Sequence, residues 1–380
     1  MILYDLLVQG SKKNPNKIAI VCEKGEITYS KLLIEVDLMH ERLKKMNIRN
    51  DIVIGLILHN SLLFIVMLFA LNKNKNLVCL INPDLYYVDV IKICVNANVG
   101  LAFSENYINI TNVNDDGIVF IKRKDFFVDD LEFNLQNSKI LGKQKGNYEL
   151  IQCSSGTTGE HKLVYRSKEN IKNDINNIVS DLNYGDNEKI FCCTPMNHGY
   201  GLTMGLLAGI YSNSTIITYR YFSINSFVNN YQKYIFTIII GTPEIYSLIT
   251  NSSLTDQLDF CFCKWLFCSS EPLNSCTAKD FKKKFGVWLN QVYGMMEAST
   301  VSVNKFPNEY NYLSIGQPLC NISMDYYNYN GKKCIKVKGL NVSEEYAYPN
   351  STKVLVNNWL YTKDIITIDS NNNIYLNGRS

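Results

Sequence analysis

Residues 153–162 read CSSGTTGEHK and hold two serines, two threonines, two glycines and a lysine. They come just after residues 148–151, which we predict to end a strand. Backbone N–H groups of a glycine-rich turn can converge on an anion, and hydroxyl groups add further donors, so these residues predict a phosphate-binding loop. The loop is not of the Walker A type, because Lys162 stands three residues beyond Gly159 and no Gly-Lys-Ser/Thr triplet is present. On these residues alone, a flexible surface turn is an equal alternative.

Length and composition indicate a globular protein with no broad electrostatic attraction to a polyanion. The 380 residues are 46% hydrophobic and 19% charged with a net charge of +3, which gives no reason to expect nucleic acid or an acidic membrane as partner. The longest apolar run, residues 62–71, falls short of the roughly 18 residues of a membrane span and predicts a buried helix. No basic segment precedes an apolar stretch at the N-terminus, so we expect a cytoplasmic protein whose 12 cysteines are reduced.

Strand-like and helix-like segments alternate along most of the chain. Short strands rich in β-branched residues are predicted at residues 17–22, 51–58, 76–81, 189–193, 214–218, 235–240 and 265–268. Helices are predicted between them at residues 29–46, 62–71, 205–210 and 278–285. This order predicts βαβ units and a mostly parallel sheet.

The pattern changes near residue 311, where strands become short and are separated by turns. These predicted strands are residues 322–327, 333–337, 353–356, 365–369 and 374–377. We therefore predict an α/β fold with two doubly wound lobes, residues 1–145 and 146–310, followed by a small antiparallel β unit over residues 311–380.

The loop of residues 153–162 resembles the phosphate loop of the adenylate-forming superfamily. That superfamily includes acyl- and aryl-CoA ligases, luciferases and the adenylation domains of nonribosomal peptide synthetases. Its usual pattern is (S/T)-S-G-(S/T)-T-G-x-P-K-G-V, which residues 154–159 and Lys162 fit. His161 stands in place of the proline and Leu163 in place of the second-last glycine.

Six further segments resemble motifs of this superfamily and occur in the same order along nearly the whole chain. Asn50, Met296 and Lys363 depart from the usual Gly, Thr and Gly of their motifs. The six segments are residues 50–83 (NDIVIGLILHNS to NP), 194–202 (TPMNHGYGL), 269–273 (SSEPL), 293–297 (YGMME), 359–364 (WLYTKD) and 378–379 (GR). The resemblance implies the fold of the large domain of these enzymes.

The resemblance also implies an activity and a set of residue roles. A carboxylic acid would be activated by ATP and Mg²⁺ as an acyl-adenylate, with pyrophosphate released. The acyl group would then pass to CoA or to the phosphopantetheine thiol of a carrier protein. The phosphates would be bound by Ser154, Ser155, Gly156, Thr157, Thr158, Gly159 and Lys162. The rest of the nucleotide would be bound by Ser270, Glu271, Pro272, Tyr293, Gly294, Asp364 and Arg379. Glu297 would bind Mg²⁺. The acid pocket would be lined by Asn197, His198, Gly201, Gly241, Thr242, Met295 and Met296. The catalytic residues would be Lys162, Thr158 and His198.

The departures from the motifs leave alternatives open. A thioether cannot donate a hydrogen bond, so either activity falls or another donor such as Ser299 or Thr300 replaces the threonine hydroxyl that is missing at Met296. No Asp or Glu lies in residues 191–215, so an uncharged aryl or aliphatic acid fits better than an amino acid. The alternatives are a catalytically weakened nucleotide- or acyl-binding protein on the same fold and an amino-acid adenylation domain.

The superfamily has a mobile C-terminal domain beyond the Gly-Arg hinge, and a lysine of that domain contacts the α-phosphate. The 380 residues end at Ser380, directly after Arg379, so we expect that lysine to lie outside them. Supply of this domain in trans is one option.

Overall fold

A computed structural model describes residues 2–105, 118–122, 146–154, 161–349 and 353–380 of the protein. Its helices are α1 (Ile2–Lys13), α2 (Tyr29–Lys45), α3 (Leu62–Lys73), α4 (Tyr87–Asn96), α5 (Lys168–Asp181), α6 (Ala208–Ser212), α7 (Ile224–Tyr234), α8 (Pro243–Asn251) and α9 (Ser275–Phe285). A π-helix spans Gly201–Leu207, and short 3₁₀ turns lie at Ser253–Thr255 and Phe260–Phe262.

The strands alternate with these helices, as the sequence predicts. They are β1 (Ile18–Cys22), β2 (Gly25–Thr28), β3 (Val53–Ile57), β4 (Leu77–Leu80), β5 (Val99–Ser104), β6 (Val119–Lys122), β7 (Tyr148–Cys153), β8 (Leu163–Ser167), β9 (Lys189–Cys192), β10 (Thr215–Ile217), β11 (Ile238–Gly241), β12 (Trp265–Cys268), β13 (Asn290–Met295), β14 (Ser299–Val303), β15 (Gln317–Pro318), β16 (Ser323–Tyr329), β17 (Lys332–Lys338), β18 (Tyr346–Tyr348), β19 (Leu360–Ile368) and β20 (Ile374–Arg379). The predicted α/β fold class is confirmed.

The chain divides into two compact units, residues 1–172 with 343–354 and residues 173–342 with 355–380. The predicted division into residues 1–145, 146–310 and 311–380 stays a prediction. The compact units divide the chain at other points, because β7 pairs with β4 and therefore belongs to the sheet of the first unit.

The first unit contains a sheet with the strand order β18-β8-β7-β4-β3-β5-β6. The strands from β7 to β6 in that order are parallel to one another, whereas β8 and β18 run antiparallel to their neighbours. Buried side chains of β3, β4 and β5 pack with those of α4, for example Val90 and Ile93. Both faces of a parallel sheet are covered, which explains the continuous apolar character of these strands.

Helix α3 confirms the buried helix predicted from the apolar run. Ser61 caps it, with its Oγ accepting a hydrogen bond from the Phe64 amide at 3.1 Å. The helix packs against α1 and α2 within the first unit, and nearly every side chain is buried, so it has no polar face. Within the described residues, no helix has the length and apolar character that a membrane span requires.

The second unit contains strands in the order β15-β14-β13-β12-β11-β9-β10. Strands β10, β9, β11, β12 and β13 are parallel, and β14 and β15 continue the sheet in antiparallel pairing. An aromatic cluster around Phe227, with Phe191, Phe236 and Phe260, packs beside β9. Because β10, β9, β11, β12 and β13 run parallel, their carboxyl ends lie at the same edge of the sheet.

A separate antiparallel sheet of the second unit has the order β16-β17-β19-β20. It confirms the small antiparallel β unit that the sequence predicts. The strand predicted at residues 353–356 was wrong, because Lys353 and Val356 each form only an isolated bridge, with Glu345 and Trp359. All twelve cysteines of the chain are described and have free thiols.

Candidate functional site

Most of the predicted site residues of the second unit follow neighbouring parallel strands. Asn197 and His198 follow β9, Gly241 and Thr242 lie at the end of β11, Ser270, Glu271 and Pro272 follow β12, and Gly294 to Glu297 lie at the end of β13. The chain passes from β9 to β10 on one side and then crosses to β11 on the other, so β9 and β11 flank the switch point of this sheet. Ligands of open α/β sheets bind outside the carboxyl ends of the strands at such a point.

Hydrogen bonds connect the loops at this edge. The buried Tyr200 hydroxyl donates to the Gly241 carbonyl at 3.2 Å, which joins the loop after β9 to the end of β11. The Ser269 amide donates to the same carbonyl at 3.3 Å, and its hydroxyl donates to the Val292 carbonyl at 3.0 Å. Sequence analysis missed Tyr200, although it lies within the motif around His198.

The π-helix Gly201–Leu207 begins at this edge and is buried throughout. The predicted helix at residues 205–210 is instead the end of the π-helix followed by α6. A Cβ atom on Gly201 would lie 2.5 Å from the Pro195 carbonyl oxygen, and one on Gly205 would lie 2.4 Å from Cys192 Sγ. Both glycines therefore permit a close approach of the π-helix to the end of β9. Single-turn π segments are frequent at functional sites.

His198 lies at the start of this turn with a partly buried imidazole. Its backbone N–H donates to the Pro195 carbonyl at 3.2 Å and its carbonyl accepts from the Leu202 amide at 3.0 Å. Burial lowers the pKa of the imidazole below its ordinary value, because the charged form is the more costly one to desolvate. A neutral imidazole offers one donor and one acceptor to a bound molecule.

Tyr293, Asp364 and Arg379 form a hydrogen-bonded network in the second unit. The Tyr293 hydroxyl donates to Asp364 Oδ2 at 2.7 Å, and Arg379 Nε donates to Asp364 Oδ1 at 2.9 Å. Asp364 and Arg379 are direct partners in the β19–β20 pairing, and the Asp364 amide donates to Thr362 Oγ1 at 3.2 Å. Burial, reinforced by the carboxylate of Asp364, raises the pKa of Tyr293 well above its ordinary value, so this phenol stays a donor.

Exposure differs between the members of this network. The Asp364 side chain is 15% exposed and that of Arg379 is 61% exposed, whereas Tyr293 is buried. The three predicted nucleotide-binding residues are thus brought together. Stacking of the Tyr293 ring on adenine stays a prediction.

The turn between β13 and β14 holds the remaining predicted residues. A Cβ atom on Gly294 would lie 2.1 Å from the Ser299 carbonyl oxygen, so only glycine fits there. The Ser299 hydroxyl donates to Thr203 Oγ1 at 3.2 Å, and Thr300 is buried. Replacement of the hydroxyl that Met296 lacks by either residue stays a prediction. Met296 is itself buried, and Met295 is partly exposed.

Glu297 is the predicted Mg²⁺ ligand and has a partly buried carboxylate in this turn. In the described part of the chain, no group of three or more His, Cys, Asp or Glu side chains could hold a metal ion. Mg²⁺ usually keeps several waters and takes one or two protein carboxylates together with substrate phosphates. A single carboxylate therefore fits this ion when a phosphate ligand is bound beside it.

Four further predicted residues lie in the loops after β11 and β12. Ser270 has a left-handed backbone with φ of 76°, and Ser270, Glu271 and Pro272 are exposed. Thr242 caps α8, since its Oγ1 accepts from the Ile245 amide at 3.3 Å. That hydroxyl therefore has a structural role in addition to its predicted role in the acid pocket.

The predicted phosphate loop belongs to the first unit, as the connection between the antiparallel strands β7 and β8. The Ser154 amide donates to the Lys162 carbonyl at 2.9 Å, and the Lys162 amide donates to Ser154 Oγ at 3.0 Å. His161, which replaces the usual proline, places its Nδ1 2.9 Å from the Ser154 carbonyl oxygen. Both ends of the loop are therefore fixed. The predicted phosphate ligands Ser155, Gly156, Thr157, Thr158 and Gly159 lie outside the described residues.

The ammonium group of Lys162 lies over an aromatic ring that sequence analysis missed. Its Nζ atom is 5.4 Å from the centroid of the Tyr346 ring. Tyr346 belongs to β18, which pairs antiparallel with β8. No local sequence pattern predicts this contact, because β18 joins the sheet from a distant part of the chain.

A charged cluster in the first unit was also missed. His59 Nδ1 lies 2.8 Å from Glu105 Oε1, and His59 Nε2 lies 2.9 Å from Asp84 Oδ1. His59 and Glu105 follow the adjacent parallel strands β3 and β5, and both side chains are buried. The feature of the sequence that could have identified these two residues is their position directly after apolar strand segments.

Three features together define the class of protein. They are the two parallel sheets, the site residues at the carboxyl ends of the second sheet, and the small antiparallel sheet that carries Asp364 and Arg379. The class is the large domain of the adenylate-forming enzymes. The family model described as "AMP-binding enzyme" matches residues 7–342, and the chain belongs to this family.

Relatives and solved structures agree with this assignment. The 4-coumarate–CoA ligase 3 of Oryza sativa subsp. japonica is 27% identical in an alignment of 249 positions that covers 60% of this chain and 45% of that protein. The 4-coumarate–CoA ligase of Vanilla planifolia is 24% identical in an alignment of 384 positions that covers 90% of this chain and 69% of that protein. The chain thus spans about half the length (45%) of the first of these relatives.

Two solved structures match the whole chain. The inhibitor-bound N-terminal domain of FACL13 from Mycobacterium tuberculosis superposes with a TM-score of 0.84 at 16% identity, covering 100% of this chain and 99% of that one. O-succinylbenzoate–CoA synthetase (MenE) from Bacillus subtilis in complex with AMP gives a TM-score of 0.82 at 19% identity, covering 98% of both chains. At these identities the likeness shows the fold.

Proposed function

We propose that the protein binds ATP and activates a carboxylic acid as an acyl-adenylate, which is then passed to a thiol. The observation that carries this proposal is the Tyr293–Asp364–Arg379 network, because it presents a fixed carboxylate beside the edge residues of the second unit's sheet. A fold alone does not define a function, whereas this network would provide specific hydrogen-bonding groups for the nucleotide.

The second unit would bind the adenosine part of the nucleotide. A carboxylate has about four acceptor sites on two oxygens, so Asp364 can accept from ribose hydroxyls while Tyr293 and Arg379 each occupy one site. Arg379 is the more exposed partner and stays charged, which suits a contact with an anionic ligand. Ser270, Glu271 and Pro272 would border the adenine.

The loop between Ser154 and Lys162 would hold the β- and γ-phosphates in the first unit. Lys162 would act as a point charge, and the backbone amides of the loop would add donors. Mg²⁺ held by Glu297 would neutralise phosphate charge when it is bound. The loop would keep the phosphates in position for an in-line displacement.

The reaction is a displacement at the α-phosphorus. A carboxylate oxygen of the acid forms a bond to the α-phosphorus as the bond to the bridging oxygen of the β-phosphate breaks. That oxygen keeps the bonding electron pair, and pyrophosphate leaves. Charge develops on phosphate oxygens, so fixed positive groups such as Lys162 would stabilise the transition state more than the ground state.

The acid would bind at the switch point between β9 and β11. No acidic side chain lies in residues 191–215, so this segment offers no carboxylate to pair with an α-ammonium group. An uncharged aryl or aliphatic acid therefore fits best, and the aryl class agrees with the 4-coumarate–CoA ligases among the relatives. CoA is accordingly the thiol acceptor we favour over a carrier protein.

ATP–pyrophosphate exchange tests this function. The 380-residue chain would be assayed with Mg²⁺ and a panel of aryl, short aliphatic, long aliphatic and amino acids. We expect exchange with at least one aryl or aliphatic acid and a large loss in the Lys162→Met variant. Nucleotide binding without exchange would instead support a binding protein on this fold or an enzyme that needs the C-terminal domain for the reaction, and an added C-terminal domain would separate the two. Exchange with an amino acid alone would support an amino-acid adenylation domain.

A further inference from the structure

Lys162 has an exposed side chain whose charge lies over an aromatic ring. The lysine follows the described end of the loop, and its backbone is hydrogen-bonded to Ser154 on both sides. Its ammonium nitrogen lies 5.4 Å from the centroid of the Tyr346 ring. A cation within about 6 Å of a ring centroid is attracted by the negative face of the ring.

The backbone that carries Tyr346 is fixed by strand pairing. Tyr346 pairs with Val164 and Tyr348 pairs with Leu163, so β18 runs along the strand that begins directly after Lys162. The neighbouring Glu345 accepts a hydrogen bond from the Tyr148 hydroxyl at 2.7 Å. Tyr148 stacks on Tyr165 with ring centroids 4.4 Å apart. The ring of Tyr346 is therefore attached to a rigid part of the first unit.

We propose that Tyr346 is a positioning residue for Lys162. Its ring face holds the lysine ammonium beside the start of β8. This contact reduces the number of conformers that the long side chain samples before a phosphate binds. A free lysine loses much rotamer freedom when it is immobilised, so a side chain restrained beforehand loses less on binding. The catalytic meaning of this contact rests on the proposed function, because it assumes that Lys162 meets a phosphate.

The contact itself can be tested without any activity. The lysines would be reductively dimethylated with ¹³C, which keeps their charge, and the Lys162 signal would be assigned by its loss in a Lys162→Arg variant. A nearby ring face shifts such a signal upfield. We expect the Lys162 signal to move towards the position of an unrestrained lysine in Tyr346→Leu and to keep its position in Tyr346→Phe, which retains the ring.

A matched control is available in the second unit. Lys333 Nζ lies 4.3 Å from the centroid of the Tyr326 ring, so Tyr326→Leu should move the Lys333 signal and leave that of Lys162 unchanged. An unchanged Lys162 signal in Tyr346→Leu would overturn the proposed contact.

Steady-state exchange then tests the positioning role. We expect Tyr346→Leu to raise the KM for ATP about two- to fivefold, the size of an exposed cation–π contact, and to change kcat less. Tyr346→Phe should restore the wild-type KM. In a Lys162→Met background, Tyr346→Leu should have no further effect on nucleotide binding measured by calorimetry, because the side chain that the ring holds is gone.

The outcomes separate this inference from the proposed function. An equal effect of Tyr346→Leu with and without Lys162 would show that the tyrosine acts only on the stability of the sheet, and would overturn the positioning role. If the wild-type chain neither exchanges pyrophosphate nor binds ATP, the proposed function fails and the positioning role fails with it. The lysine signals would still report in that case whether the contact exists.

Discussion

His198 is a residue of the candidate site whose pKa is shifted by burial. Its backbone is held in the turn after β9, and its imidazole has a lowered pKa because desolvation disfavours the charged form. The folded protein therefore binds a proton at this position more weakly than the unfolded chain does. Acidification through the ordinary histidine pKa of about 6.5 must then favour the unfolded chain.

This difference predicts how the stability depends on pH. The contribution of His198 is present above the unfolded pKa and is lost as the pH falls below about 6.5. The unfolding free energy of the wild type should fall between pH 7.5 and 5.5, and that of His198→Gln should fall by up to about 1 kcal/mol less. One proton that is bound differentially changes the unfolding free energy by at most about 1.4 kcal/mol per pH unit. Urea unfolding at both pH values measures this. Parallel losses in the two proteins would contradict it.

The π-helix is the element that sets the shape of the edge between β9 and β11. Sequence periodicity predicts helical structure here but cannot distinguish a π-turn, because that turn depends on contacts with other strands. A Cβ atom on Gly205 would contact Cys192 of β9, and one on Gly201 would contact the carbonyl oxygens of Thr194 and Pro195. These approaches, rather than helix propensity, explain why glycines stand at both positions.

Substitution of Gly205 tests this explanation. We expect Gly205→Ala to lower the unfolding free energy by about 1–3 kcal/mol, because its Cβ would meet a sulfur atom in a packed interior. Adding Cys192→Ala should recover part of the loss, with a favourable coupling of at least about 0.5 kcal/mol in a double-mutant cycle.

A glycine in open surroundings provides the control for this cycle. A Cβ on Gly185 would meet only Glu188 Oε1, at 3.9 Å, so Gly185→Ala should change stability by less than about 0.5 kcal/mol. Additive effects of Gly205→Ala and Cys192→Ala would show that this contact does not limit the turn.

At the scale of the whole molecule, the sequence predicts the elements better than it predicts their partners. The strand predicted at residues 265–268 has the bounds of β12, because four apolar residues, three of them buried, form a short run between Lys264 and Ser269. The strand predicted at residues 353–356 failed, because a segment with strand propensity forms a strand only when a neighbouring strand pairs with it along its length. Element identity is local, and pairing is not.

The same distinction applies to the candidate site. The motif resemblance predicts Tyr293, Asp364 and Arg379 as nucleotide ligands, yet only the structure shows that they are bonded to one another. The contact of Lys162 with Tyr346 has no signal in the sequence, because it depends on the position of β18 beside β8. A motif therefore identifies candidate residues in the sequence, whereas the contacts between segments that lie far apart in the chain depend on strand order and are seen only in the structure.

Ligand-linked stability tests the nucleotide site through the unfolding of the whole chain. A ligand that binds only the folded protein stabilises it by RT ln(1 + [L]/Kd), which is about 2.7 kcal/mol at a hundred times Kd. We expect AMP to raise the melting temperature of the wild type in a concentration-dependent way. Asp364→Asn should lose most of this rise, because an amide accepts fewer hydrogen bonds and carries no charge to balance Arg379.

Asp325→Asn is the matched control for Asp364→Asn. It makes the same change in the same small sheet, where Asp325 forms an ion pair with Lys336 at 3.0 Å. We expect this variant to keep the full rise with AMP, each variant being compared with its own melting temperature without ligand. Equal rises in both variants would mean that Asp364 does not bind the nucleotide. The network with Tyr293 and Arg379 would then have only a structural role, joining β13 to the small sheet.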